Sequence, residues 1–430
     1  MAKIGVIGLW HLGCVVSACL AEAGNEVTGI DFYQNILSGL GKGNPPLFEP
    51  GLEELIGKNL TGGRLQYATD FSKAIAGMEF IFITFDTPVD EQDRSDLTVV
   101  ERAIDEIARY ADREIVIVIS SQLPVGTSRR LQETLQKKNR NRLEIVYSPE
   151  NLRLGNAIKT FKEADRIVIG ADRVGAGDRL EQLYDFVSGP KLRMDLNSAE
   201  MTKHALNSFL AASISFINEI ATLSEMCGVD IRQVVHAMKT DRRIGPNAFL
   251  GPGMGFAGGT LARDVQVLRE LGQKNRKSTR ILDAVLTVNQ ERILSIKEKL
   301  LARYPKLDKI QLGLLGLTYK PKTSTLRRSM ALALAKEFLK EGAGVKAFDP
   351  MIQESTPETT GITICRTPYE AAEGAHALIL ATEWPEFREV DFVQVKQRMK
   401  EPVLIDTRNF LNPELLTSLG FEYEGVGVRQ

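Results

Sequence analysis

Near the amino terminus Gly8 and Gly13 frame the turn GLWHLG, and Asp31 closes the apolar segment EVTGID. A dinucleotide site needs a tight turn after its first strand, close approach of backbone to pyrophosphate, and an acid after the second strand for the ribose hydroxyls. Gly8, Gly13 and Asp31 have the spacing for those tasks. The middle glycine of the pattern is absent: position 10 holds Trp10, and His11 and Leu12 complete the turn. A bulky ring there is expected to crowd the phosphates or make the cofactor ride higher, and the competing reading is a strand, turn and helix that bind nothing. Asp31 weighs against that reading, since its carboxylate accepts ribose hydroxyls and repels a 2'-phosphate, favouring NAD over NADP. His11 also fits a plain turn residue. The cysteines, Cys14, Cys19, Cys227 and Cys365, lack zinc spacing, so neither a disulfide framework nor a bound metal is expected.

The elements that must position these groups follow from hydrophobic periodicity. KIGVIG, EVTGID, EFIFITF, REIVIVISS, LEIVYSPE and RIVIGA are short apolar strands separated by helical segments, the rhythm of a parallel sheet covered on both faces. From Asn197 apolar and small residues recur at helical spacing for about thirty residues, longer than the usual ~20, as expected of a spine between domains. A glycine-rich stretch, GPGMGFAGG, and further helices run to Tyr304. At Lys309 the strand-helix alternation restarts with KIQLGLLGL. The expected fold is α/β: two Rossmann-like parallel-sheet domains, 1–196 and 305–430, joined by a helical middle domain, 197–304, with a long spine helix.

The 430 residues, 43% apolar, exceed one ordinary core. With 54 basic and 55 acidic residues the net charge is -1, which argues against an extended nucleic-acid or anionic-membrane surface, so local cations must meet any anionic ligand. The basic run RRLQETLQKKNRNR reads as a solvated helix face. MAKIGVIGLW lacks the basic region and long apolar core of a signal peptide, and no apolar run of ~18 residues stands out, so a soluble, cytoplasmic protein is expected.

Taken in order, GLWHLG, FEPGLEELI, DTPVDEQDRSDLTVVE, PVGTS, SPENLRLGNA, AEMTKHALNSFLA, RIGPNAFLGPGMGFAGGTLARD, LGLTYKPKTSTLRRS and DTRNF resemble the UDP-glucose/GDP-mannose dehydrogenase family over nearly the whole chain. Members oxidise C6 of a nucleotide sugar twice, alcohol to aldehyde to acid, reducing two NAD. The resemblance implies an NAD domain, a helical middle that forms a homodimer, and a carboxy-terminal domain gripping the nucleotide diphosphate, UDP by analogy. It makes Lys203 and Asn207, one helical turn apart, the groups that stabilise an oxyanion and position the reacting group, and Asp264 the carboxylate that takes the hydroxyl proton through a water. It makes Glu150 an orderer of substrate or water, Thr87 and Arg327 cofactor contacts, and Lys320 and Arg408 contacts in the nucleotide pocket. Leu152, Arg243, Phe256 and Gly258 fall on substrate-binding positions of the family, Arg243 reaching the partner subunit's sugar site.

The chain departs from the family at its centre. A motif like GGxCFPKD reads GGTLARD here, so Thr260 stands where the nucleophilic cysteine belongs, and a threonine hydroxyl is a much poorer nucleophile than a thiol. Gln122 replaces a threonine that holds the catalytic water, Arg263 replaces a lysine, and Asp86 enters the cofactor motif. Ser324, Thr325 and Arg328 replace three acids. Three readings stay open: a dehydrogenase making one hydride transfer, one reaching the acid without a cysteine, and a binding protein without catalysis. The retained Lys203, Asn207, Asp264, Asp31 and Glu150 rank the first foremost.

Overall fold

The apolar runs become strands because both of their faces are covered. In the computed structural model, which describes residues 1–88, 90, 95–149, 152–256 and 259–428, the chain forms two compact units, Met1–Ala205 and Leu206–Gln430. The first contains β1 (Lys3–Ile7), β2 (Glu26–Ile30), β3 (Leu65–Ala68), β4 (Phe80–Ile83), β5 (Ile115–Ile119), β6 (Leu143–Tyr147), β7 (Ile167–Gly170) and β8 (Lys191–Met194). Their order is β3-β2-β1-β4-β5-β6-β7-β8, and the first six reproduce the doubly wound dinucleotide order. Alternate side chains of β4 and β5 enter opposite layers. Phe80, Phe82, Val116 and Val118 pack with the helix His11–Glu22, and Ile81, Ile83, Ile117 and Ile119 pack with the helix Thr98–Tyr110. One junction differs from the expected all-parallel sheet: β7 meets β6 antiparallel through Tyr147 and Gly170.

The second unit contains β9 (Gln311–Leu315), β10 (Gly344–Phe348), β11 (Ile362–Cys365), β12 (Ala377–Leu380), β13 (Val403–Asp406) and β14 (Glu422–Gly425), all parallel in the order β11-β10-β9-β12-β13-β14. This is the same winding as the first six strands of the other sheet. In each sheet the order reverses beside the first strand, at β1/β4 and β9/β12, the kind of position at which open α/β sheets take their ligands.

The expected spine is the 32-residue helix Leu196–Cys227, about 48 Å long at 1.5 Å per residue. By length and composition it would pass as a membrane span, contrary to the expectation that no run is long enough, although part of its most apolar stretch is buried in protein. Glu200, Lys203, His204 and Glu219 interrupt it. The basic run is helical only as far as Lys137, in the helix Thr127–Lys137, where Arg129 pairs with Asp172 and Arg130 with Glu101 at the surface.

Glycine is a steric requirement at the first turn. A Cβ on Gly13 would lie 1.9 Å from the Gly8 carbonyl oxygen, whereas a Cβ on Gly24, also at a chain reversal, would meet nothing within 4 Å. Gly13→Ala should therefore cost about 3 kcal/mol or more of unfolding free energy in urea. Gly24→Ala, strained only by its positive φ, should cost roughly 1–2 kcal/mol.

Candidate active site

At the end of β1, Gly8 turns with φ 98° and its N–H donates to the Ile30 carbonyl at 3.0 Å. Asp31 fixes the next peptide: Oδ2 accepts from Leu9 N–H at 2.6 Å and Oδ1 from Tyr33 N–H at 3.0 Å. Each oxygen carries one of these bonds, and a carboxylate has about four acceptor sites, so capacity remains for hydroxyls. Thr84 Oγ1 donates to the Gly8 carbonyl at 2.7 Å, tying the turn to the end of β4. Among the described residues no side chain caps the helix His11–Glu22, and its first turn holds no acid, so its N–H groups suit a phosphate. Trp10, the expected obstruction, stands at the N-cap with its residue 44% exposed rather than buried in the turn. Leu12 packs partly into the core, and His11 Nε2 lies 2.8 Å from Glu49 Oε2. Gly8, Gly13 and Asp31 thus make a cradle that fits a dinucleotide.

The second unit repeats this construction. Gly316 has φ 95° and donates to the Phe348 carbonyl at 2.8 Å. Asp349 Oδ2 accepts from Leu317 N–H at 2.7 Å and Oδ1 from Met351 N–H at 2.9 Å, as Asp31 does with Leu9 and Tyr33. Thr382 Oγ1 donates to the Thr318 carbonyl at 2.8 Å. The difference lies in saturation: Asp349 Oδ2 also accepts from Thr318 N–H and Oγ1, both at 2.9 Å, and from Trp384 Nε1 at 3.2 Å. This acid fixes the segment leading to Lys320 instead of keeping acceptor sites open for a ligand.

Arg408 follows a third carboxylate, Asp406, at the end of β13. Asp406 accepts from the amides of Arg408 at 2.9 Å and of Phe410 and Leu411 at 2.8 Å, and from the Tyr423 hydroxyl at 3.0 Å. Burial nevertheless holds its carboxyl above the usual range, those bonds only partly offsetting it. Arg408 Nε donates to the Ala381 carbonyl at 3.1 Å and lies 3.2 Å from Glu383, which aims the guanidinium along the β12 end. Lys320 is half-buried; Arg327 is exposed.

The second unit also brings Asn207 and Asp264 together. Asn207 Nδ2 donates to Asp264 Oδ2, and both residues are buried. Asp264 sits in the first turn of the helix Leu261–Lys274, where the helix end favours a carboxylate. Lys203 lies one turn before Asn207 on the same long helix. Thr260 is the N-cap of Leu261–Lys274, exposed, with its carbonyl accepting Asp264 N–H at 3.1 Å. Arg263 is buried.

The glycine-rich loop is held by side chains that the sequence did not single out. Asn218 Oδ1 accepts from Gly253 N–H at 2.8 Å, Asn289 brackets both backbone groups of Phe256, and Arg292 Nε donates to the Gly253 carbonyl at 3.0 Å. Burial lowers the Arg292 guanidinium below its ordinary value, with Glu225 partly offsetting. The Phe256 ring packs in a small core with Ala211, Ile214, Val265 and Val285. Arg243 is exposed and paired with Asp241 at 2.7 Å. In the first unit, Thr87 Oγ1 donates to the Gln122 carbonyl at 3.1 Å, both residues buried, and Leu152 packs partly into the core. Two more unforeseen residues, Glu200 and His204, hold the loop after Gln122: Glu200 accepts from Gly126 and Ser128 amides at 2.5 and 2.8 Å, and His204 Nε2 lies 2.7 Å from the Leu123 carbonyl. Burial raises the Glu200 carboxyl. Glu150 and Gly258 lie outside the described residues.

The cysteines stand elsewhere. Cys14 and Cys19 are buried under the first sheet, their thiols pushed up by desolvation, that of Cys19 to about 12. Cys365 ends β11, and Cys227 is twenty residues (227 minus 207) beyond Asn207 on one helix, about 30 Å away. Among the described residues no group of three or more His, Cys, Asp or Glu is placed to hold a metal ion.

Two sheets of dinucleotide-binding order, each with a carboxylate-held turn at its switch point, define a nucleotide-binding α/β protein of the dehydrogenase class. Residues 2–188 match the NAD binding domain of the UDP-glucose/GDP-mannose dehydrogenase family, 197–291 its central domain and 313–413 its UDP binding domain. The UDP-glucose 6-dehydrogenase TuaD of Bacillus subtilis (strain 168) is 35% identical over 434 residues, 99% of this chain and 93% of that protein. A UDP-glucose 6-dehydrogenase of Pseudomonas aeruginosa is 34% identical over 444 residues, 99% of this chain and 97% of that protein. Among solved structures, a UDP-glucose dehydrogenase from the hyperthermophilic archaeon Pyrobaculum islandicum superimposes with a TM-score of 0.92 at 32% identity, over 100% of this chain and 98% of that one. The chain belongs to the UDP-glucose/GDP-mannose dehydrogenase family: it is an NAD-dependent oxidoreductase of the nucleotide-sugar class.

The two turn carboxylates should differ in what they contribute to stability. Asp349→Ala strands the Leu317, Thr318 and Met351 amides, the Trp384 indole keeping only Thr318 Oγ1, and should cost about 3–5 kcal/mol in urea unfolding, more than Asp31→Ala, which strands two amides.

Proposed function

We propose that this chain oxidises the C6 alcohol of a UDP-glucose-like nucleotide sugar through one hydride transfer, because Thr260 leaves the cysteine-dependent second oxidation without its nucleophile. The reading is carried by the buried Asn207–Asp264 hydrogen bond at a helix N-terminus. Bound NAD supplies the hydride acceptor. Asp264, with Lys203, takes the hydroxyl proton through a water, Lys203 stabilises the developing oxyanion, and Asn207 holds the carboxylate and the reacting oxygen in place. Gly8, Trp10, His11, Leu12, Gly13, Asp31, Thr87 and Arg327 serve the cofactor. Lys320 and Arg408 neutralise the diphosphate in a chain with no net positive charge. Leu152, Phe256 and Gln122 serve the sugar side, Glu150 and Gly258 are assigned to it by their family positions alone, and Arg243 reaches the partner's sugar.

The work divides among residues 1–196 for NAD, 197–304 for the helical middle and 305–430 for the nucleotide sugar. The protein is a soluble, cytoplasmic homodimer joined along its spine helix. Exposed Phe209, Phe216 and Leu223 support this, since their seven-residue spacing makes one apolar stripe on that helix.

Protein, NAD and a panel of UDP-, GDP- and TDP-sugars should release one NADH per sugar consumed. Two would establish acid formation, and none across the panel would leave a binding protein. Thr260→Cys should raise acid formation, read by mass spectrometry of the product. Asn207→Ala should lower kcat by about 10²–10³-fold.

A further inference from the structure

Glu49 is a buried carboxylate with its side chain 1% exposed, and it is absent from the roles assigned above. It comes from the turn before the helix Leu52–Thr61 and reaches two distant parts of the first unit. Oε1 accepts from Ala157 N–H and Oε2 from Gly155 N–H, both at 2.8 Å. The same Oε2 lies 2.8 Å from Nε2 of His11, the first residue of the helix whose N-terminus forms the cofactor turn. Because a carboxylate only accepts, His11 donates through Nε2. Asn156, which precedes the short helix Ala157–Lys162, caps it with no side-chain bond, so Glu49 supplies that acceptor from outside the segment. Gly155 is at φ 80°, and Leu152 lies three residues before it. One carboxylate oxygen is thus shared between the turn after β1 and the segment leading into the helix Ala157–Lys162.

We infer that Glu49 and His11 are positioning residues that couple occupation of the cofactor turn to the geometry of residues 152–157, so that cofactor and nucleotide sugar bind with positive cooperativity. The inference rests on the functional reading above, in which Gly8–Gly13 receives the cofactor and Leu152 lies on the sugar side. A bound pyrophosphate orders the first turn of His11–Glu22, His11 then holds Glu49 in one position, and Glu49 holds the Gly155 and Ala157 amides. The ordering needed for the second ligand has been completed by the first, which is positive coupling. Such coupling is reciprocal between the two ligands.

NADH and UDP-glucose form a pair that cannot react, so both affinities can be measured by calorimetry on the full-length protein, each ligand alone and then with the other saturating. The wild type should bind each ligand about 5-fold or more tightly in the presence of the other. His11→Leu, which keeps both amide bonds to Glu49, should bring that ratio to within about 2-fold of unity, and His11→Gln, whose amide can still donate, should restore most of it. A residue that merely stabilises the fold would change the melting temperature and leave the ratio alone. A wild-type ratio of one, or a ratio unchanged in His11→Leu, would overturn the coupling. Failure of the wild type to bind either ligand, alone or with the other present, would instead overturn the functional reading on which it rests.

Discussion

A carboxylate at the end of the second strand, bonded to the second amide beyond the preceding strand, is the constraint on which both nucleotide-type sites rest. Asp31 with Leu9, and Asp349 with Leu317, fix the peptide that follows a left-handed glycine, and from that peptide onward the chain is aimed across the end of its sheet. Without that bond a turn after a buried strand would leave an amide without an acceptor, at a cost comparable to the turn's own stability. The two acids differ in use. Asp31 carries few donors and keeps acceptor sites; Asp349 is filled by Thr318 and Trp384 and is spent on holding its own turn. One geometry thereby serves recognition in one unit and rigidity in the other.

The altered centre is consistent with this division between scaffold and chemistry. Hydride transfer needs an oriented carbinol, a proton acceptor and a stabilised oxygen, tasks for carboxylate, amide and ammonium groups. A second oxidation through a covalent intermediate adds a water placed to release the acid and, before that, an ionisable thiol. Replacing that group by Thr260 removes the later demand and leaves the earlier ones, and Asn207 and Asp264 remain bonded and buried.

The fold was legible where burial was symmetric. FIFI and IVIVI are apolar throughout because helices cover both faces, so their strands stood out; LQYA and KLRM, half-exposed at the sheet's two ends, did not, and β3 and β8 went unforeseen. The winding followed from the alternation of strands and helices, but the antiparallel entry of β7 did not, since nothing local distinguishes IVIG from its neighbours. In the site, Gly8, Gly13 and Asp31 were visible through local turn chemistry, and Lys203, Asn207 and Asp264 only through the ordered motifs of a family. Glu49 and Asn289 were invisible as partners because they act on backbone groups 106 and 108, and 33, residues away, and a backbone group has no letter in a sequence. Trp10 was legible as a departure, while its outward placement required coordinates.

The chain's two tryptophans fall one on each nucleotide-type turn, Trp10 at the mouth of the first and Trp384 against the carboxylate of the second. One indole is in contact with water and the other is 3% exposed and hydrogen-bonded, so their emission differs in colour and in access to a quencher. The protein therefore carries an intrinsic fluorophore at either end of its ligand chemistry, and events at the two turns are optically separable without any label.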